Sequence, residues 1–100
     1  MTVNQNKVQG GIELVVSGRL DTNTAPELEM VLKQIEPAKQ ILYLNLKDID
    51  YVSSAGLRVI LLAHKIMLPS GGRMIVRSPS EFCRQVLEAT GMDGILTIEQ

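Results

Sequence analysis

The 100 residues predict an α/β fold in two layers, a mixed and mostly parallel β-sheet with its helices on one face, in the order β-β-α-β-α-β-α-β. Three observations carry this. Apolar residues alternate with period two in Ile12, Leu14, Val16 and again in Leu42, Leu44, Leu46, which marks strands covered on one side. Between and after these strands the apolar residues recur at helical spacing, so β-α-β units repeat and imply parallel strands joined by right-handed crossovers. Ahead of the first unit, Gly10-Gly11 separates two strand-like stretches and makes the opening an antiparallel hairpin.

Taken in order, Thr2 to Gln9 is polar apart from Val3 and Val8 and suits an edge strand. From Ile12 the inward set is Ile12, Leu14 and Val16, and Glu13, Val15 and Ser17 face the other way. Gly18-Arg19-Leu20-Asp21 leaves the sheet, and Asp21-Thr22-Asn23-Thr24 offers several N-caps before Pro26 in the first turn of a helix. Leu28, Val31, Leu32 and Ile35 form the apolar stripe of that helix, which Pro37 ends. The next strand is Ile41 to Leu46, and Lys47-Asp48-Ile49-Asp50 carries the chain over the end of the sheet. In the helix from Leu57 to Leu68, Val59, Leu62, Ala63 and Ile66 make one apolar stripe and Leu57, Ile60, His64 and Met67 a second. The face left over holds Ser54, Arg58, Leu61 and Lys65 at offsets of four, seven and eleven.

Pro69-Ser70-Gly71-Gly72 stops this helix, and Arg73 to Arg77 is a short strand with Met74 and Val76 inward. Ser78-Pro79-Ser80-Glu81 reads as a helix start in which Ser78 caps, Pro79 takes the first position and Glu81 completes a capping box. Phe82, Cys83, Val86 and Leu87 supply the core stripe of the third helix, Gly91 is its left-handed terminator, and Ile95 to Ile98 is the last strand. The length suits one domain spanning residues 1–100.

Composition narrows the function by exclusion. A net charge of −1 provides no basic field for nucleic acid and no polybasic segment for an anionic membrane, so recognition is local and no direct membrane contact is expected. Cys83 is the single cysteine, which excludes an internal disulfide and a multi-cysteine zinc site and suits a reducing cytoplasm. The first residues lack the apolar centre of a signal peptide, and no run approaches the ~20 apolar residues that cross a bilayer.

Catalytic constellations are missing too. His64 and Cys83 have no partner at metal spacing and read as structural residues, and the five methionines read as core. Gly71-Gly72 follows a helix instead of opening one, so it is a turn and not a phosphate loop. Ser54 lacks the Gly-x-Ser-x-Gly surround of a hydrolase elbow. No enzyme, metal or cofactor is implied.

What remains is Tyr51-Val52-Ser53-Ser54-Ala55-Gly56-Leu57-Arg58, between an apolar strand and an apolar helix. Serine at a helix start caps free N–H groups, and those groups with the helix dipole favour an anion. Capping needs only one serine. Gly56 in a first turn costs ~1 kcal/mol relative to alanine, and its bare backbone beside a hydroxyl suits the close approach of a second molecule.

The run Asp50-Tyr51-Val52-Ser53-Ser54-Ala55-Gly56-Leu57-Arg58-Val59 resembles the signature loop of the STAS domain in bacterial anti-sigma factor antagonists, and Gly18-Arg19-Leu20-Asp21 with Thr24-Ala25 resembles a second conserved block of that family. Order and spacing match over nearly the whole chain. The resemblance implies a STAS-like fold and a binding switch in the cytoplasm. The unphosphorylated protein holds an anti-sigma factor that is also a serine-protein kinase and so frees the sigma factor; phosphorylation at Ser54, two residues before the signature glycine, cancels that grip, and a phosphatase restores it. Where well-known members carry Asp before this serine, the chain has Ser53. The expected partner-binding residues are Asp21, Thr22, Asn23, Thr24, Ser53, Ser54 and Gly56 from the two matching segments, and with Ser54 the positions Arg58, Leu61 and Lys65 on the helix face that the core stripes leave free. The alternative is a STAS subunit of a membrane transporter complex that binds its ATPase without phosphorylation.

Overall fold

Alternation of leucine and valine with polar residues builds the strands, and the computed structural model, which describes residues 1–36 and 38–100, shows where each falls. In chain order the elements are β1 (Thr2–Val8), β2 (Gly11–Leu20), α1 (Ala25–Lys33), β3 (Ile41–Val52), α2 (Ser54–Met67), β4 (Arg73–Arg77), α3 (Glu81–Ala89), a 3₁₀ turn (Met92–Gly94) and β5 (Thr97–Glu99). The five strands form one sheet in the order β1-β2-β3-β4-β5. β1 and β2 are antiparallel, and every later pair is parallel. Because successive parallel strands are added in one direction, right-handed crossovers place all three helices on the same side.

That side is the core. Leu14, Val16, Leu42, Leu44, Leu46, Met74 and Val76 from the strands join Leu28, Leu32, Val59, Ile60, Ala63, Met67, Cys83 and Leu87 from the helices in one buried cluster. Fully burying one such leucine contributes about 1.5–3 kcal/mol. Cys83 is completely buried, and desolvation pushes its thiol up to about 11, so it packs as an apolar side chain.

The helix-free face is not bare. The Arg77 guanidinium lies 3.8 Å from the Tyr43 ring centroid and reaches Glu13 at 3.2 Å and Glu99 at 2.8 Å. Its pKa is raised, first by the hydrogen bond to Glu99 against opposing desolvation, then by Glu13. The Asn45 amide donates to Glu13 at 3.2 Å, and Ile75 is buried on this face outside the main core. One charged fork and one ring thus shield the middle of the open layer.

Several local expectations are corrected. β2 and β3 do not leave the sheet where the sequence reading ended them; Ser17–Leu20 continue to pair with Asp48–Val52. Two register shifts, between Val15 and Ser17 and between Gly18 and Arg19, each insert an extra β3 residue, and Gly18 takes φ +95 there. The cap of α3 is Ser80 and not Ser78, because Ser78 has φ +50 and Ser80 is held to β3 by its N–H donating to Leu46 O at 3.0 Å and its hydroxyl to Ile49 O at 2.6 Å. Phe82 is turned out of the core, 40% exposed, because the buried line of α3 runs through Cys83 and Leu87, and Met30 is likewise exposed instead of buried. In α2, Leu57, Leu62, His64 and Ile66 are only half-buried. The final strand starts at Thr97, after an exposed Ile95. α1 ends at Lys33, and Pro37, expected as its stop, lies outside the described residues.

Candidate functional site

At the C-terminal ends of β2 and β3 two loops enter helices side by side. Arg19 pairs with Tyr51 and Leu20 with Val52 in the sheet, and the Ser53 N–H then donates to Leu20 O at 2.9 Å. The Asp21–Thr24 loop and the Ser53–Gly56 turn are therefore neighbours.

Ser53 is the N-cap of α2, in extended conformation, and its Oγ accepts from the Gly56 N–H at 3.3 Å. The Leu57 N–H donates to its carbonyl at 2.9 Å. Ser54, the next residue, is exposed. One serine is committed to the helix and the other is presented to solvent, beside the positive end of the α2 dipole.

Gly56 is there for a different reason from the one the sequence suggested. It is buried, and a Cβ on it would lie 2.6 Å from Leu20 O, 2.8 Å from Leu20 Cγ and 3.2 Å from Val52 Cγ1. Its missing side chain lets α2 sit on the ends of β2 and β3, and it offers no bare backbone to a visiting molecule. The gain in core packing that the sequence did not reveal is this close approach to Leu20.

In the neighbouring loop, Asp21 Oδ1 accepts from the N–H groups of Asn23 at 3.0 Å and Thr24 at 3.1 Å. The Thr24 hydroxyl accepts from the Asp21 N–H at 2.9 Å and donates to Arg19 O at 2.7 Å. Thr24 is the N-cap residue of α1 but makes no side-chain cap bond, so Asp21 organises the turn instead. Partial desolvation pushes the Asp21 carboxyl up, but the Thr24 and Asn23 N–H groups, the Thr24 hydroxyl and the Arg19 charge outweigh it and hold the pKa below the ordinary value. Asp21 and Thr24 are thus engaged within the loop, and Thr22 and Asn23 are its exposed residues.

Along α2, Ser54, Arg58 and Lys65 are exposed and Leu61 is half-buried, so this stripe presents two cations and part of one leucine. Neither cation has an ion-pair partner among the described residues. Three further residues gather at this end that the sequence did not assign to the site. The Arg19 guanidinium stacks 4.1 Å from the Tyr51 ring centroid and lies 3.5 Å from Asp21, and the Phe82 ring meets Tyr51 at 5.9 Å between centroids. The clue to Tyr51 and Phe82 was scarcity: they are two of three aromatic residues in the chain. Among the described residues no group of three His, Cys, Asp or Glu side chains is placed to hold a metal ion, and no helix is long and apolar enough to cross a membrane.

The profile of the STAS domain matches residues 3–100. The anti-sigma-B factor antagonist of Staphylococcus aureus is 27% identical over 89 residues, covering 88% of this chain and 82% of that protein. An anti-sigma factor antagonist from Mycobacterium paratuberculosis superposes with a TM-score of 0.86 at 22% identity, covering 98% of this chain and 84% of its own. The Bacillus cell fate determinant SpoIIAA in its phosphorylated form gives a TM-score of 0.71 at 14% identity, with coverages of 99% and 92%. The profile match spans nearly the whole chain, and the five-stranded sheet with one antiparallel pair and three helices matches those solved structures: this chain belongs to the STAS domain family.

Proposed function

We propose that the chain is an anti-sigma factor antagonist, a cytoplasmic single-domain binding protein without enzymatic activity, whose grip on an anti-sigma factor is switched by phosphorylation of Ser54. The observation that carries this reading is the division of labour between the serines: Ser53 Oγ caps α2, and Ser54 stands exposed one residue later. The name of the S. aureus relative supports the antagonist role, and a phosphorylated structural neighbour supports the switch. The anti-sigma factor is also the kinase, and a phosphatase reverses the modification. The partner docks across Ser54, Arg58, Leu61 and Lys65 with Thr22 and Asn23 beside them. Gly56 is left out of the contact set because it is buried, and Asp21 and Thr24 shape the loop from within.

A dianion at Ser54 changes that surface by charge more than by shape. Incubation with the cognate kinase and ATP is expected to add one phosphate, at Ser54, and none to Ser54→Ala. Label mapped to Ser53, or equal labelling of Ser54→Ala, refutes the assignment. By calorimetry, Ser54→Asp and Leu61→Ala should each weaken the complex about tenfold or more, whereas Glu13→Gln on the helix-free face should not. Normal affinity of folded Leu61→Ala would move the interface elsewhere.

A further inference from the structure

The parallel strands begin at the end of the sheet away from Ser54, and there Gly10, Lys39, Ile41, Gly71 and Arg73 help line an open cleft of about 250 Å³. Ile41 and Arg73 are register partners at the starts of β3 and β4, and the Arg73 N–H donates to Gln40 O at 3.1 Å, so the two cationic segments are laced together. A Cβ on Gly71 would sit 3.8 Å from Lys39 Cγ, and one on Gly10 would meet nothing within 4 Å. The lysine stem thus runs beside one bare turn, and a second bare turn borders the same space.

Lys39 and Arg73 are exposed, and neither has an ion-pair partner among the described residues. Cations near this end would ordinarily answer the negative ends of helices. Here the closing carbonyls of α2 are already occupied, Met67 O by the Gly72 N–H and Leu68 O by the Gly71 N–H, each at 3.0 Å. Two like charges bordering one cleft repel each other, in a chain whose net charge is −1. An anion between them removes that repulsion. A guanidinium presents a planar fork to phosphate oxygens, and an ammonium adds a point charge.

We infer that this cleft binds a small phosphomonoester, its dianion between Lys39 and Arg73 and its organic group against Ile41. The site is separate from Ser54 and stands whether or not Ser54 is phosphorylated. The test is an amide NMR titration with orthophosphate and with phenyl phosphate at constant ionic strength. Saturable shifts are expected at Gly10, Gly71 and Gly72, with phenyl phosphate binding more tightly, and the Lys39→Ala/Arg73→Ala protein should bind at least about tenfold more weakly while keeping a folded spectrum. Shifts centred on Ser53 to Gly56, where a helix N-terminus offers the competing anion site, would overturn the assignment, as would a double variant that titrates like the parent. Vesicles of phosphatidylcholine with phosphatidate distinguish a lipid headgroup from a free ester: the protein should stay in the supernatant, and sedimentation that depends on Lys39 and Arg73 would overturn the small-molecule identity.

Discussion

Two helices in this molecule begin with nearby serines, and they use them oppositely. At α2, Ser53 caps through a 3.3 Å bond from the Gly56 N–H, and Ser54 is left exposed. At α3, Ser80 caps through a 3.1 Å bond from the Cys83 N–H and also donates its hydroxyl to Ile49 O at 2.6 Å, locking the helix onto β3. Ser78, which looked like the cap, lies two residues too early. A serine pair at a helix start therefore says that one hydroxyl will be consumed. Which hydroxyl is spared depends on where the preceding strand ends and on what lies against the first turn.

The strongest way to break the α2 arrangement is Gly56→Ala. Helix propensity alone favours alanine by roughly 1 kcal/mol. The added Cβ would stand 2.6 Å from Leu20 O, a backbone atom that cannot swing aside, so the overpacking falls at the top of the usual range, about 3 kcal/mol or more, and outweighs the propensity gain by about 2 kcal/mol or more. A net loss is expected in denaturant unfolding, and a stabilised Gly56→Ala protein would mean that α2 rides free of β2.

Removing the caps comes next. Ser80→Ala deletes the cap and the hydroxyl bond to Ile49 O, so it should cost about 2 kcal/mol, whereas Ser53→Ala loses only the cap, about 1 kcal/mol. Equal losses in parallel urea titrations would erase the distinction between the two helix starts.

Phosphorylation should perturb stability still less. At Ser54 a dianion meets the favourable end of the α2 dipole, and Arg58 lies one turn along the same helix. The Tm of kinase-treated protein should stay within about 5 °C of the unmodified form, the span that corresponds to roughly 1 kcal/mol in a domain of this size. A larger fall would mean that the switch works by unfolding.

The α1 start makes the smallest difference and sharpens the contrast, because there a carboxylate does the work of a serine. Asp21 should titrate below its ordinary 3.8. Since its folded pKa is depressed, the stability it contributes is present above the unfolded value and is lost as pH falls through the folded one. Carboxyl-carbon NMR should show the midpoint rising in Thr24→Ala, which loses a hydroxyl hydrogen bond, and rising in Arg19→Ala, which loses a nearby charge. An unmoved midpoint in both would remove those two contacts from the account of the loop.

The element order, the one-sided sheet and the core leucines were legible because burial on one face imposes period two on strands and 3.6 on helices, and these periods are local in the sequence. That one of the two serines caps α2 was legible from residue type at a helix start. Strand ends were not. Pairing of Ser17–Leu20 with Asp48–Val52 across two bulges depends on a neighbour 31 or more residues away, and the polar run Lys47-Asp48 hid it. Phe82 looked like core because it fits the apolar stripe of α3, but the buried line of that helix runs through Cys83 and Leu87, and Phe82, to one side of it, lies against Tyr51.

The sequence by itself therefore determined the fold class and the order of elements, which rest on short-range periodicity, and the family resemblance and the stretch on which the candidate site lies, which rest on the motif runs Asp50 to Val59 and Gly18 to Asp21. Only the tertiary structure decided that Gly56 serves the contact with Leu20, that Asp21 is engaged by its own loop, that Tyr51 and Phe82 meet beside it, and that Lys39 and Arg73 border one cleft. For Gly56, for Tyr51 with Phe82 and for Lys39 with Arg73 the physical reason is the same: each is a relation between atoms on different segments, fixed by how closely a helix sits on a sheet or where two strands start, and nothing in a local run of residues encodes that distance. Asp21 differs, because its donors are only two and three residues on and the turn conformation alone aims them at it.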